Sequence, residues 1–132
     1  MSLGEQVMTF AEECLKLAEP TSSRRNLIKG WRLKGQVFCT QGRLQEAEEA
    51  LQRALTIAKV LGNPPQLWKT YQALGELYER KGEFGQARSA YGSAVQVIKE
   101  VASRLQDQQL KQTFLTARPV QEILESLDHL SR

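Results

Sequence analysis

The chain repeats itself at a spacing of 40 residues. At that shift Gly35 falls on Gly75, Gly42 on Gly82, Ala47 on Ala87 and Ala54 on Ala94. Trp31 falls on Tyr71 and Phe38 on Tyr78, aromatic on aromatic, while Leu44 meets Phe84 and Leu51 meets Tyr91. Gly85 has no glycine partner and stands outside the pattern. One spacing kept through two windows of about 30 residues marks a repeat architecture. It constrains the fold strongly, because such a unit buries its apolar face only by stacking on its neighbours.

Within each unit an aromatic, a glycine and a second aromatic follow at i, i+4 and i+7: Trp31, Gly35, Phe38, then Tyr71, Gly75, Tyr78. That is one stripe of a helix. A glycine inside a helix costs about 1 kcal/mol against alanine. Close approach of a neighbouring helix offsets that cost. Gly42 and Gly82 come at the end of the stripe, where a left-handed stop is common. A second helix follows, with small residues seven apart at Ala47 and Ala54, then Ala87 and Ala94. The unit reads as helix, short turn, helix, packed antiparallel, and the chain as all-α.

Along the chain, residues 4–19 read as a helix with Val7, Met8, Phe10, Ala11, Cys14, Leu15 and Leu17 on one apolar face. Val7, Ala11 and Cys14 take the second-helix positions, so this is the second helix of a truncated repeat. Pro20 is expected to end it, and Ser22 or Ser23 to cap the next helix. A first full unit spans 24–62. "GNPP" then punctuates, with Gly62 as a C-cap and Pro64 in a first helical turn after Asn63. A second unit spans 64–106, with no breaker in its last helix from Gln86 to beyond Leu105. In the remaining segment, 107–130, Pro119 divides the sequence. Val120, Ile123, Leu124, Leu127 and Leu130 follow at helical spacing, so this segment is expected to cap the stack.

The 132 residues suffice for one domain with its own core. A content of 41% hydrophobic and 25% charged residues is that of a globular chain, and a net charge of +3 is only mildly basic. Nucleic-acid binding through Arg24, Arg25, Lys29, Arg32 and Lys34 would require steep salt dependence, and this balance does not favour it. No apolar run of about 18 residues exists to span a membrane, and MSLGEQ is not a secretion signal. Cys14 and Cys39 match no metal-ligand spacing and His129 lies far from both, so reduced thiols, no metal and a cytoplasmic protein are expected.

Motifs for chemistry are missing. No GxxxxGK[ST], GxSxG or HExxH occurs, and "GEFGQA" is not GxGxxG. Glu12, Glu13, Glu46, Glu48 and Glu49 lie among basic residues as solvated helix faces. Trp31 and Trp68 read as packing residues and His129 as exposed. No cofactor and no enzymatic activity are expected.

The second unit resembles a tetratricopeptide repeat through Tyr71, Leu74, Gly75, Tyr78, Ala87 and Tyr91. The first departs from that pattern, with Lys34 in place of leucine and Phe38 in place of tyrosine. HEAT and armadillo repeats share the longer period without the glycine-aromatic pattern. The usual period is 34 residues, so the helices here are expected to be longer, as in similar repeats of kinesin light chains and bacterial signalling proteins. The resemblance implies a right-handed superhelical stack of antiparallel helix hairpins. "AEECLKLAEPTSSRRNLIKGWRLKGQ" and the tail "FL-x3-P-V-x3-L" are similar to segments of bacterial multidomain regulators in which an ATPase or cyclase part precedes the repeats. That likeness implies a fragment of a larger regulator.

In such a stack the first helices line a concave groove. The stripe facing it holds Lys29, Arg32, Gln36 and Cys39 in the first unit, and Lys69, Gln72, Glu76 and Glu79 in the second. Lys29, Arg32 and Lys69 make one part basic. An acidic peptide or a chain terminus is expected there, with Arg32 gripping a carboxylate bidentately. Some relatives clamp a terminal carboxylate with paired Asn and Lys; here Gln36 and Ala73 stand where asparagines would be needed. The leading reading is a non-catalytic interaction module or scaffold of a signalling protein, holding a partner or another domain of its own chain. The alternative is a regulatory sensor for a small ligand or signalling peptide. A cut repeat edge would also invite self-association.

Overall fold

The structure, a computed structural model, describes residues 3–21, 24–105 and 107–131, with side chains except at 3, 14–21 and 131. Among the described residues there are seven helices and no strand. They are α1 (Leu3–Thr21), α2 (Arg24–Thr40), α3 (Leu44–Leu61), α4 (Pro64–Lys81), α5 (Phe84–Arg104), α6 (Gln108–Thr116) and α7 (Arg118–Ser131). Helices α2 and α4 begin 40 residues apart, as do α3 and α5, so the sequence period is the period of the fold. Each pair forms a tight hairpin, α2 on α3 and α4 on α5, and α4 also packs on α3 and α2. The result is an all-α helical stack.

The turns follow from their residues. Gly42, Gly62 and Gly82 have φ of 79°, 70° and 78°. Only glycine adopts that left-handed backbone without strain. At the start of α4 the Asn63 side chain accepts from the Gln66 N–H at 3.2 Å, and Pro64 occupies the first turn, where no intrahelical donor is needed.

The mid-helix glycines are contact sites. A Cβ on Gly35 would lie 2.6 Å from Leu51 Cγ and 3.2 Å from the Ala47 carbonyl oxygen. A Cβ on Gly75 would lie 2.7 Å from the Tyr91 ring. Glycine at these two positions lets the hairpin close on a large side chain. Tyr91 is 1% exposed, and burying an aromatic of that size contributes about 2–3 kcal/mol. Gly85 meets nothing within 4 Å, in keeping with its place outside the repeat.

Three expectations need correction. Pro20 does not end α1 before itself; the helix runs through it to Thr21. A proline in the last turn withdraws one N–H and leaves the earlier ladder intact. At the other end α5 stops at Arg104, short of Leu105, and a separate helix follows. Asp107 starts α6 by accepting from the N–H groups of Gln109 (2.8 Å) and Leu110 (3.1 Å). Cys39, placed on the groove stripe by its spacing, is buried in the core with Ala47, Leu51, Ala73 and Leu74. Ser22 and Ser23 lie outside the described residues, as does the Cys14 side chain.

Beyond α5, α7 packs its apolar face on that helix. Val120 and Ile123 join Tyr91, Ala94, Val95 and Ile98 in one cluster. Helix α6 has no buried residue and touches the same cluster through Phe114, whose ring lies 5.4 Å from that of Trp68. Trp68 is buried and its indole N–H has no hydrogen-bond partner among the described residues, and Trp31 is half-buried with Lys34 and Arg53 over its ring at 5.3 and 4.9 Å.

Candidate partner-binding groove

The residues expected to face the groove come from α2 and α4. Lys29 is half-buried and its Nζ lies 5.0 Å above the Phe10 ring of α1. Gln36 and Gln72 are half-buried, and Lys69 and Glu76 are exposed. Arg32 behaves differently from its neighbours. It is only 9% exposed, and its guanidinium donates to Gln66 Oε1 in the first turn of α4. Burial lowers its pKa, but an arginine keeps its proton in any such setting. Among the described residues no carboxylate lies within ion-pairing distance of it.

The acidic part of the groove is larger than the α4 stripe suggests, because α7 contributes to it. Glu79 of α4 and Glu122, Glu125, Ser126 and His129 of α7 line a cleft of about 310 Å³. The Tyr91 hydroxyl lies within hydrogen-bond reach of Glu79 and Ser126; burial, then Glu79, pushes its pKa well above the usual phenol range. Glu76 is exposed as a residue, but its carboxyl is partly desolvated by its neighbours, which raises its pKa. The charges of Glu79 and Glu122 add to the rise and that of Arg80 opposes it. Burial raises the Cys39 thiol pKa too, which keeps it protonated.

The structure thus brings Arg32 and Gln66 together, with Lys29 against α1 and Lys69 free at the surface. It groups Glu79 with Glu122 and Glu125 of α7 around the cleft. Sequence reasoning missed Gln66 and the α7 residues. Glu122, Ser126 and His129 do follow at a four- and three-residue spacing, so they could have been read as the polar stripe of α7.

Such a surface can attract charge and donate hydrogen bonds. Ser126 directs its hydroxyl to the Glu122 carbonyl at 2.9 Å. No group of three or more His, Cys, Asp or Glu among the described residues is arranged to hold a metal ion. No described helix is long and apolar enough to cross a membrane.

The joint between the units is polar. Glu48 of α3 accepts from Lys81 Nζ at 2.9 Å and from the Tyr78 hydroxyl at 3.3 Å. Gln52 donates to the same hydroxyl at 3.4 Å. Helix α4 is therefore tied to α2 near its start, through Gln66 and Arg32, and to α3 at its finish, through Lys81 and Glu48.

A family model for the tetratricopeptide repeat matches residues 26–100, from the first turn of α2 into α5. No curated protein and no solved structure matches the chain. Tetratricopeptide repeats generally mediate protein–protein interaction and are typically non-catalytic. The match covers more than half of the chain, so the chain belongs to the tetratricopeptide repeat family.

Proposed function

We propose that this domain is a non-catalytic scaffold that holds an acidic peptide segment or a chain-terminal carboxylate against α2 and α4. Arg32 is the group that meets the carboxylate, with Lys29 and Lys69 as flanking cations and Gln36 and Gln72 as neutral hydrogen-bonding neighbours. Glu76 sets the limit of the anionic footprint. The partner is a protein, or another domain of a longer cytoplasmic signalling chain of which this segment is a part.

One observation carries the reading. Arg32 is a cation nine-tenths buried, and its one described hydrogen-bond partner, Gln66, is neutral. An uncompensated buried charge costs several kcal/mol. A guanidinium has five donors in a fork that matches a carboxylate. A bound carboxylate would offset the burial cost and use donors that Gln66 leaves over.

The test uses a labelled Ala-Glu hexapeptide with a free C-terminus, titrated by fluorescence anisotropy against the wild type, Arg32→Lys and Lys69→Glu. Arg32→Lys retains the charge without the fork, and Lys69→Glu changes an exposed side chain. A tenfold or greater loss in each supports the proposal, and unchanged affinity in both contradicts it. The alternative, a sensor for a small ligand, is favoured by the cleft of about 310 Å³ beside Glu79, a size at the low end of small-molecule sites. It requires a ligand-dependent rise in Tm that survives Lys69→Glu.

A further inference from the structure

The neutral partner of Arg32 stands where a carboxylate would be favoured twice over. Gln66 is the third residue of α4, which begins at Pro64. At that position a glutamate can close a capping box, and the positive end of the helix dipole favours an acid. The guanidinium that Gln66 meets is 9% exposed and has no ion-pair partner among the described residues. An acid in place of Gln66 would therefore gain from the helix and from the arginine together. The first turn of α4 holds none.

The backbone at Gln66 is fixed. Its N–H donates to the Asn63 side chain at 3.2 Å, and its carbonyl accepts from the Thr70 hydroxyl at 2.7 Å. Thr70 itself is fully buried. Pro64 and Pro65 carry no N–H, and the N–H of Leu67 donates to the Asn63 carbonyl at 3.0 Å. The first four residues of α4 thus leave no N–H free for an anion, and the donors at this place belong to Arg32. Gln66 Oε1 takes Nη1 of the guanidinium. Nε and Nη2, the edge that grips a carboxylate side-on, have no partner among the described residues.

Resting on the carboxylate reading of Arg32 proposed above, we infer that Gln66 is the specificity-determining residue of that site: its amide orients the guanidinium through one nitrogen and leaves the charge uncancelled for the partner's carboxylate. An amide and a carboxylate on the same stem have nearly the same shape, so the choice between them at position 66 alters charge and little else. With an acid there, the chain would supply its own counter-ion and the site would be closed to an anion from outside. The neutral amide leaves the fold below its stability optimum at this position and keeps the cation available, a trade common where a site must bind.

The test sets stability against affinity in the whole chain. Gln66→Glu is expected to raise Tm by about 2 °C or more and to weaken binding of the labelled Ala-Glu hexapeptide at least tenfold. Gln66→Met keeps the length of the side chain and removes the acceptor without adding charge. It should bind the peptide more weakly than the wild type and more tightly than Gln66→Glu, with no rise in Tm. Lys99→Glu, at an exposed position on α5, should move neither quantity. A residue that only held the fold together would move stability and affinity in the same direction. Equal affinity in the wild type and Gln66→Glu would overturn the inference and leave the carboxylate reading in place. So would a Tm for Gln66→Glu at or below that of the wild type, or tighter binding by Gln66→Glu than by Gln66→Met. No binding by the wild type would remove the carboxylate reading, and this inference with it.

Discussion

The two hairpins share a backbone plan and differ in what it carries. In the first, Gly35 closes on Leu51; in the second, Gly75 closes on Tyr91. The inner stripe of the first hairpin holds a buried Arg32 and a buried Cys39, while their counterparts in the second are a half-buried Gln72 and Glu79. The aromatic and glycine positions thus preserve the hairpin, and the stripe beside them sets the charge. One unit holds a cation with no counter-ion among the described residues, and the other gathers carboxylates with α7. The difference shows that positions equivalent by sequence can have unequal depth, because depth depends on the helix that comes next.

The largest expected effect separates Arg32 from Gln72. Arg32→Glu places a carboxylate in the buried site and is expected to cost about 3 kcal/mol or more. Gln72→Glu, at the equivalent position, should stay within about 0.5 kcal/mol. Urea unfolding of both variants checks this; equal losses would mean that Arg32 is no deeper than its counterpart.

Next come the glycines. Gly75→Ala drives a methyl into a rigid ring that is fully buried, so it should cost about 2–3 kcal/mol. Alanine's helix propensity returns about 1 kcal/mol at either site, but Gly35→Ala meets an aliphatic side chain that can turn where Gly75→Ala meets a rigid ring. The net cost should be about 1 kcal/mol smaller than at Gly75. The same unfolding series reads the order, and a reversed order would break the assigned difference between the two contacts.

A smaller effect is expected at Tyr91. Tyr91→Phe keeps the ring and removes the hydroxyl that faces Glu79 and Ser126, at a cost of about 1 kcal/mol. Thermal unfolding would show it, and no change in Tm would mean that the hydroxyl contributes nothing.

The smallest effect depends on pH. The Glu76 carboxyl has a folded pKa above its ordinary value, chiefly through burial. The folded state then binds more protons than the unfolded state between those two values, so this group makes stability fall as pH rises through that window. Glu76→Gln removes the effect. It should be as stable as the wild type below the ordinary carboxylate range and slightly more stable at neutral pH, by less than about 1 kcal/mol because solvent screens the site. Urea midpoints at pH 3.5 and pH 7 compare the two, and a larger gain at the acidic end would contradict the sign.

Much of the fold was legible because its signals are local. Gly42, Gly62 and Gly82 announce left-handed stops, Asn63–Pro64 announces a helix start, and Gly35 and Gly75 announce close contacts. The misreadings came where a local signal was outweighed or overlooked. Pro20 stands close enough to the end of α1 for the helix to pass through it, and Asp107 was a cap in plain view. The groove was less legible. Spacing placed Arg32 and Cys39 on the right helix but could not give their depth, which is set by α4. Gln66 lies 34 residues from Arg32 in sequence, and no periodicity links them. The α7 carboxylates stand across a cleft from Glu79 on a helix that packs on α5, and the repeat period says nothing of where that helix lies.

The central claim is that Arg32 is a buried cation awaiting an anionic partner. The most direct measurement is the side-chain NMR signal of its Nε–H during titration with the Ala-Glu hexapeptide. The account predicts a saturable shift of the Arg32 signal, with Lys69 responding and Lys99 silent. A shift confined to other residues, or none at saturating peptide, would contradict it.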